Sequence, residues 1–470
     1  MKKKSITYSA QQAEIINYSG AQLLIRGIAG SGKTLILLEK ASDVAKKNPN
    51  ETVAVFSYGN PLAVSARKQL EIYNLPNLTV TTFHSWAMKN YYKTFGKKFF
   101  LANRLQSTLR KAIEEVSKQY AEHRFVKNKD LVNFIEEEIS WIKGSDLCEF
   151  DKYNTAPRKG RGGKIRLSAD DRKVMFKIYE AYERQLSFCM DFNDFGLQMS
   201  HDLSKIQDVS KFDHVFIDEA QDLTKVNLMV LCHIARKSCI VGADKGQKIF
   251  TTSFTWEDVG LNIKGRRTKI LRNSYRSTRQ IMELAYSIQE KDEISNDEEF
   301  TRPDLPTAQG PKPKVFFTKG NEGQNQALLE AIQLIQKEDP EATIGILSRN
   351  KEYMKCVEDL LDHAKVDYQF IKSPSKTDDP NKIGTHHEPG VKLTTLHTAK
   401  GLEFKYVLIT DLVDPPTKER LGEDFDWDIE RRLLYVGMSR AMHHLSLFTY
   451  GDRHCLVDEL NEVYYDKVII

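Results

Sequence analysis

Eight residues carry the first chemical signal: Gly27, Ile28, Ala29, Gly30, Ser31, Gly32, Lys33 and Thr34 follow the spacing G-x-x-x-x-G-K-[ST]. Glycines at those places let backbone N–H groups close around phosphate oxygens. The lysine reaches the terminal phosphates, and the threonine hydroxyl is a magnesium ligand. "AQLLIRG" reads as a short buried strand just before the loop, and a helical pattern follows as far as Asn48-Pro49-Asn50. A helix N-terminus behind the loop adds a favourable field for an anion. A purely structural glycine turn is the bland alternative, and the strand–loop–helix placement disfavours it. A nucleotide with Mg2+ is the expected ligand.

A second stretch, "HVFIDEAQDL" (His214 to Leu223), ends an apolar strand-like run with Asp218, Glu219 and Asp222 in quick succession. Taken alone, such acids are the solvated end of a strand. A phosphate-binding loop elsewhere in the chain changes that reading. It needs an acid on a neighbouring strand to hold magnesium, and a carboxylate to orient the attacking water. Asp218 is the expected metal ligand beside Thr34, and Glu219 the expected water-orienting group. Asp222 could instead be a helix-start residue.

The elements that must position these groups recur along the chain. "TVAVFSY", "HVFIDEA", "SCIVGA" and "TKILRNS" read as further strands with helical segments between them, which predicts an α/β core with a mostly parallel sheet. The stretch from about 97 to 195 is helical instead. Leu131, Val132, Ile135, Ile139 and Ile142 share one helix face that Gly144 ends, and Ser168 with Asp171 forms a capping box for another helix. After about residue 280 comes a polar, Pro-bearing connection. A second α/β set follows: "KVFFT", "TIGILSR", "VDYQFI", "VKLTTL", "YVLITDL" and "LSLFTY". The expected domains are a first lobe over 1–96 and 196–280, a helical insertion over 97–195, and a second lobe over 281–470.

Composition bounds the rest. A chain of 470 residues with 40% hydrophobic and 29% charged residues can build several packed domains and is far from a disordered composition. No apolar run is long enough to span a bilayer, and "SITYSAQQ" after Lys2, Lys3 and Lys4 lacks the apolar segment of a secretion signal. Six scattered cysteines without a CxxC pair predict reduced thiols in a cytoplasmic setting. His386–His387 and His443–His444 have no partners at metal-ligand spacing and read as surface residues. The net charge of +4 permits a polyanionic partner without demanding one.

Eight segments in one order resemble the UvrD/Rep-like superfamily 1 helicases, and the resemblance covers both lobes. "YSAQQAEII" resembles the adenine-reading segment, with Gln12 in the matching place; "FSYGNPLA" and "TTFHSWA" resemble segments that touch single-stranded DNA, the latter through Phe83 and His84. "IDEAQD" is similar to the magnesium strand, and "VGADKGQKIF" to the phosphate-sensing segment, with Gln247 matching the γ-phosphate glutamine. "LRNSYRST" resembles L-x-x-N-Y-R-S, which implies Tyr275 under the adenine and Arg276 at the γ-phosphate. "LTTLHTAKGLEFKYV" and "ERRLLYVGMSRA" resemble the second-lobe segments. They imply nucleotide contacts for Gly401 and Glu403, a DNA contact for His397, and Arg440 as arginine finger. The resemblance implies two RecA-like lobes with parallel sheets, ATP as substrate, and single-stranded DNA or a tailed duplex as partner.

The departures matter too. Ser274 stands where the family usually has Asn, and Ala243 where it usually has an acid. The base-stacking aromatic after the sensing segment could be Phe250 or the displaced Trp256. "TAPRKGRGGKIRLS" (Thr155 to Ser168) offers Arg158 and Arg161 among glycines, either as a solvated loop or as phosphate contacts. "MDFNDFG" (Met190 to Gly196) reads as a structural turn. Larger relatives insert a domain where this chain has only the polar loop 372–389, too short to fold alone. The expectation is an ATP-dependent translocase or helicase, moving 3′ to 5′ as the resemblance implies. The alternative is a nucleic-acid-stimulated regulatory ATPase serving a nuclease or defence subunit.

Overall fold

The computed structural model describes residues 8–158, 167–247, 254–296, 300, 304–349, 351–372, 382–415, 417–421, 425–451 and 455–470. Six strands form the first sheet: β1 (Gln22–Gly27), β2 (Val53–Phe56), β3 (Leu78–Thr81), β4 (Phe212–Ile217), β5 (Ala235–Ala243) and β6 (Thr268–Leu271). Their spatial order is β3-β2-β4-β5-β1-β6, and every neighbouring pair is parallel. The sequence explains why: the strands are near-continuous apolar runs, as a sheet covered on both faces requires. Leu24, Phe56, Val215 and Ile217 pack into one core layer, while Leu23, Ile25, Val55 and Phe216 pack into the layer behind. Strand β3 was absent from the sequence expectation because "LTVT" is only four residues long and one of them is exposed.

The second sheet holds β7 (Lys314–Thr318), β8 (Thr343–Ser348), β9 (Tyr368–Phe370), β10 (Gly390–Thr395), β11 (Phe404–Ile409), β12 (Ala441–Tyr450) and β13 (Asp466–Ile469). Its order is β13-β7-β12-β11-β8-β10-β9, again all parallel. Strand β13, likewise unforeseen, is an exposed edge with little apolar burial. Helix Arg279–Gln289 follows the first sheet in sequence, yet Ile281, Leu284 and Ile288 pack with Leu433, Val436 and Leu447 of the second. Each lobe is therefore a parallel sheet between helical layers, the α/β arrangement of a RecA-like unit.

Between β3 and β4 the chain builds a separate helical body with its own core, including Leu109, Val116, Ile135, Ile139, Val174 and Ile178. Helix Val132–Gly144 carries the apolar face read from the sequence, and Ser168 caps Ala169–Leu186 through the reciprocal bonds with Asp171. Leu101 and Met190 pair as a parallel bridge, so the chain leaves for this body and returns from it side by side.

Candidate nucleotide site and cleft

Gly30 and Gly32 adopt φ of 73° and 82°, a left-handed turn that residues with side chains resist. Tyr275 N donates to Gly30 O at 2.9 Å and Ile28 N to Leu271 O at 3.3 Å, so the end of β6 braces the loop. A Cβ on Gly30 would stand 2.5 Å from the Ser274 hydroxyl, which leaves no room for any other residue there. Ser31 Oγ bonds Ile28 O at 2.8 Å within the loop. The Lys33 ammonium lies inside the curve, held by Gly27 O and Ile28 O at 2.9 Å each and by Asp244 at 3.2 Å. Asp244, one residue past Ala243, thus supplies the acid that sequence comparison found missing. Its signal was present in "GAD", displaced by one position.

Thr34 Oγ1 donates to Asp218 Oδ2 at 2.8 Å. The other oxygen, Asp218 Oδ1, is buried without a hydrogen-bond partner among the described residues. A hydroxyl beside a carboxylate with one oxygen free is the hard oxygen donor set that magnesium takes, together with phosphates. Burial, and then the adjacent Glu219, push the Asp218 carboxyl up to about 7. A cation there would restore its ionised form.

Glu219 follows the strand with φ of 53°, in the left-handed region. Such a conformation at a side-chain-bearing residue costs on the order of 1 kcal/mol and persists where surrounding contacts enforce it. Gln221 Nε2 donates to Glu219, while Gln221 Oε1 accepts from Asp244 N at 2.9 Å. Burial works against ionisation of Glu219, but Lys400, Lys33 and Arg440 outweigh it and hold the carboxyl below its usual range. Asp218 and Glu219 therefore diverge, one raised and one lowered. Asp222 is not a helix-start residue, since Thr224 caps the next helix, Lys225–His233. It is buried and paired with Lys400 of the second lobe at 2.6 Å. Neither Lys400 nor Gln221 was singled out from sequence, although both lie inside the quoted segments.

The second lobe closes over this site. Arg440, 1% exposed, donates from Nη2 to Gln247 Oε1 at 2.7 Å and from Nε to Val436 O at 2.9 Å. Burial, then the nearby Arg276, lower its pKa to about 10, which leaves it protonated at neutral pH. Arg276 pairs with Glu403 across the cleft at 2.7 Å. Burial opposes a charge on Glu403, yet Arg276 and the histidines at 386 and 387 keep its carboxyl low. Gly401, at φ of 78°, comes so close to the first lobe that a Cβ would meet Leu62 at 2.5 Å. Tyr275 is 56% exposed and not a core tyrosine. Gln12 caps its own helix and donates to Ser31 O at 3.3 Å, so it abuts the loop.

The residues read as nucleic-acid contacts divide. His84 is half-buried against the Phe192 ring, with centroids 5.3 Å apart, and His397 is exposed. Phe83 is not available for stacking: it is fully in the first-lobe core. Trp256 is also core, edge-on to Phe254. Phe250 and Arg161 lie outside the described residues. His386, expected at the surface, is buried beside Phe404. His387 instead reaches Ser65 of the first lobe at 3.2 Å.

Arg158 corrects the basic-loop expectation. Its guanidinium is clamped on Glu138, which is wholly buried, with Nη2 to Oε2 at 3.0 Å and a second bond from Nη1. It also covers the Trp141 ring at 5.3 Å. A charge so engaged is a structural clamp and not a phosphate contact. Arg158→Gln should therefore destabilise the helical body by roughly 3 kcal/mol, because it strands a buried carboxylate. Thermal unfolding measures this, and an unchanged midpoint with weakened DNA binding would restore the phosphate reading.

Two parallel-sheet lobes with a phosphate loop, a buried acid pair and an arginine crossing the cleft define a two-lobed P-loop nucleotide-binding protein. The UvrD/REP helicase N-terminal domain matches residues 8–253, and the UvrD-like helicase C-terminal domain matches residues 377–451. The chain belongs to the UvrD/REP helicase family. DNA helicase IV of Escherichia coli (strain K12) is 23% identical over 495 residues, covering 93% of this chain and 67% of that protein. The putative ATP-dependent DNA helicase YjcD of Bacillus subtilis (strain 168) is 32% identical over 148 residues, 29% of this chain and 18% of that protein. DNA helicase II of Escherichia coli (strain K12) is 42% identical over 80 residues, 17% of this chain and 11% of its own length. This chain therefore spans only a small part of the latter two.

Proposed function

We infer that the chain is an ATP-dependent translocase or helicase on single-stranded DNA, moving 3′ to 5′. The observation that carries this reading is the buried contact between Arg440 of one lobe and Gln247 of the other, beside the Lys33 loop. A single lobe leaves a transferring phosphoryl group open on one side. A cation delivered by the second lobe stabilises the developing charge only when the cleft is closed, so hydrolysis couples to lobe movement.

In this reading Gly27, Gly30, Ser31 and Gly32 shape the phosphate cradle and Lys33 binds the terminal phosphates. Thr34 and Asp218 hold Mg2+, which supplies neutralising charge at those phosphates. Glu219 orients the attacking water, with its carboxylate kept ionised by Lys400 and Lys33. Gln247 and Arg276 face the γ-phosphate, and Arg440 is the finger. Tyr275 and Gln12 take the adenine, Gly401 and Glu403 complete the nucleotide's second-lobe side, and His84 and His397 lie along the DNA. The domains are the first lobe (1–96 and 196–280), the insertion (97–195) and the second lobe (281–470). The six cysteines are free thiols, which supports a cytoplasmic setting. No helix among the described residues is long and apolar enough to cross a membrane.

One observation favours a second reading, a regulatory ATPase subunit of a nuclease or defence complex without processive unwinding. Strand β9 ends at Phe370 and β10 begins at Gly390, so no domain can stand between them. ATPase rates with single-stranded DNA, with RNA and without nucleic acid, run beside a strand-displacement assay, separate the two. DNA-stimulated hydrolysis with displacement supports a helicase. Stimulation without displacement supports the subunit reading, and hydrolysis indifferent to nucleic acid overturns both.

A further inference from the structure

Between Glu71 and Glu114 the chain contains no Asp or Glu, while seven lysines and arginines occur there. In a protein with almost balanced charge, so long an acid-free run is a local cationic surface. It spans β3, the helix Phe83–Phe95 that carries His84, and the neck where the helical insertion begins. Lys93, Lys97, Lys98 and Arg104 are all exposed on it.

Two aromatic rings stand out on the same neck. Phe188 is 75% exposed and Phe100 is 59% exposed, although solvent exposure of a phenyl ring has no stabilising role. Neither is a loose loop tip. Met190 N donates to Phe100 O at 2.7 Å and Ala102 N to Met190 O at 2.9 Å, which pins the two segments together. The rings meet edge to face, with centroids 5.8 Å apart at 88°. Two residues beyond Met190, Phe192 is 46% exposed and lies against His84. Asp191, between them, is fixed by the wholly buried Lys143 at 2.9 Å. An aromatic pair, a second aromatic and exposed cations therefore follow one another on a rigid support.

We propose that Phe100 and Phe188, flanked by Lys97 and Lys98, form an additional stacking subsite for single-stranded DNA, outside the cleft and continuous with the His84–Phe192 edge. Exposed aromatic faces interleaved with cations suit a single strand, whose bases stack while its phosphates pair with the lysines. An acidic partner protein would use the cations but not require open ring faces, and an apolar one would have to bury the lysines unpaired. The subsite rests on the single-stranded DNA reading of the whole chain.

Fluorescence anisotropy with oligothymidylates of eight and twenty nucleotides tests it. Phe100→Ala with Phe188→Ala should weaken binding of the twenty-mer about tenfold, from lost stacking, and leave the eight-mer within about twofold. Phe188→Trp should keep twenty-mer affinity, which distinguishes lost stacking from lost folding. Lys97→Gln with Lys98→Gln should lower the salt slope for the twenty-mer by about one to one and a half. If the parent chain binds neither oligonucleotide, the single-stranded DNA reading fails. If the parent binds and the alanine pair binds the twenty-mer equally well, the subsite is overturned and the rings belong to a protein interface. Loss confined to an RNA twenty-mer would overturn it as a DNA subsite.

Discussion

Glu219→Gln should bind ATP as the parent chain does and hydrolyse it at least about a hundredfold more slowly, the usual scale for removing a positioned base. The substitution keeps the size of the side chain and an oxygen that can still accept from Gln221. What it removes is the negative charge that Lys400, Lys33 and Arg440 hold in place. The loop from Gly27 to Thr34, proposed to grip the phosphates, is untouched. Single-turnover hydrolysis and equilibrium titration with a fluorescent ATP analogue read the two effects separately. Turnover near the parent value would return Asp218 and Glu219 to the role of a strand's polar end.

Much of this site was legible because its chemistry is written in contiguous segments. A loop of fixed spacing between an apolar run and a helical pattern has few other uses, and the acids after "VFI" follow from what such a loop needs. The ordering of the cleft residues across both lobes was legible only through resemblance, since no spacing rule brings Arg440 to Gln247 from 193 residues away. The Lys400–Asp222 pair was missed for the same reason. Asp222 looked like a solvated or capping acid until the second lobe supplied its cation.

The weakest readings were those where residue type alone had to decide between core and contact. An aromatic in a DNA-touching segment can stack on a base or fill the interior, and Phe83 and Trp256 fill the interior. Their exposed counterparts, Phe100 and Phe188, lie in segments that carried no motif at all. Arg158 failed in a related way. A cation among glycines reads as mobile, but its partner Glu138 sits 20 residues earlier on helix Val132–Gly144, and burial of that carboxylate dictates where the guanidinium goes. Strand β3 escaped because four residues show too little periodicity to separate them from a loop.

Arg440→Ala should lower ATP turnover by on the order of a thousandfold, the lower range for an arginine finger, while ATP affinity falls only a few-fold. The asymmetry follows from where the guanidinium is held. It reaches Gln247 from the second lobe and makes its other bonds to Val436, Leu402 and Ser439 of its own lobe. The phosphate loop, Tyr275 and the Thr34–Asp218 pair all belong to the first lobe and keep their contacts without it. Ground-state binding thus survives, and the charge that develops during transfer loses its partner, which appears in kcat and not in affinity. Arg440→Lys should recover little, because one ammonium nitrogen cannot reproduce a planar fork that donates to Val436, Leu402 and Gln247 from three separate nitrogens. Steady-state kinetics beside a direct ATP titration makes the comparison, with a thermal midpoint to exclude unfolding. Equal losses in turnover and affinity, or no loss in either, would leave Arg440 as an interlobe packing residue and remove the coupling between hydrolysis and lobe closure.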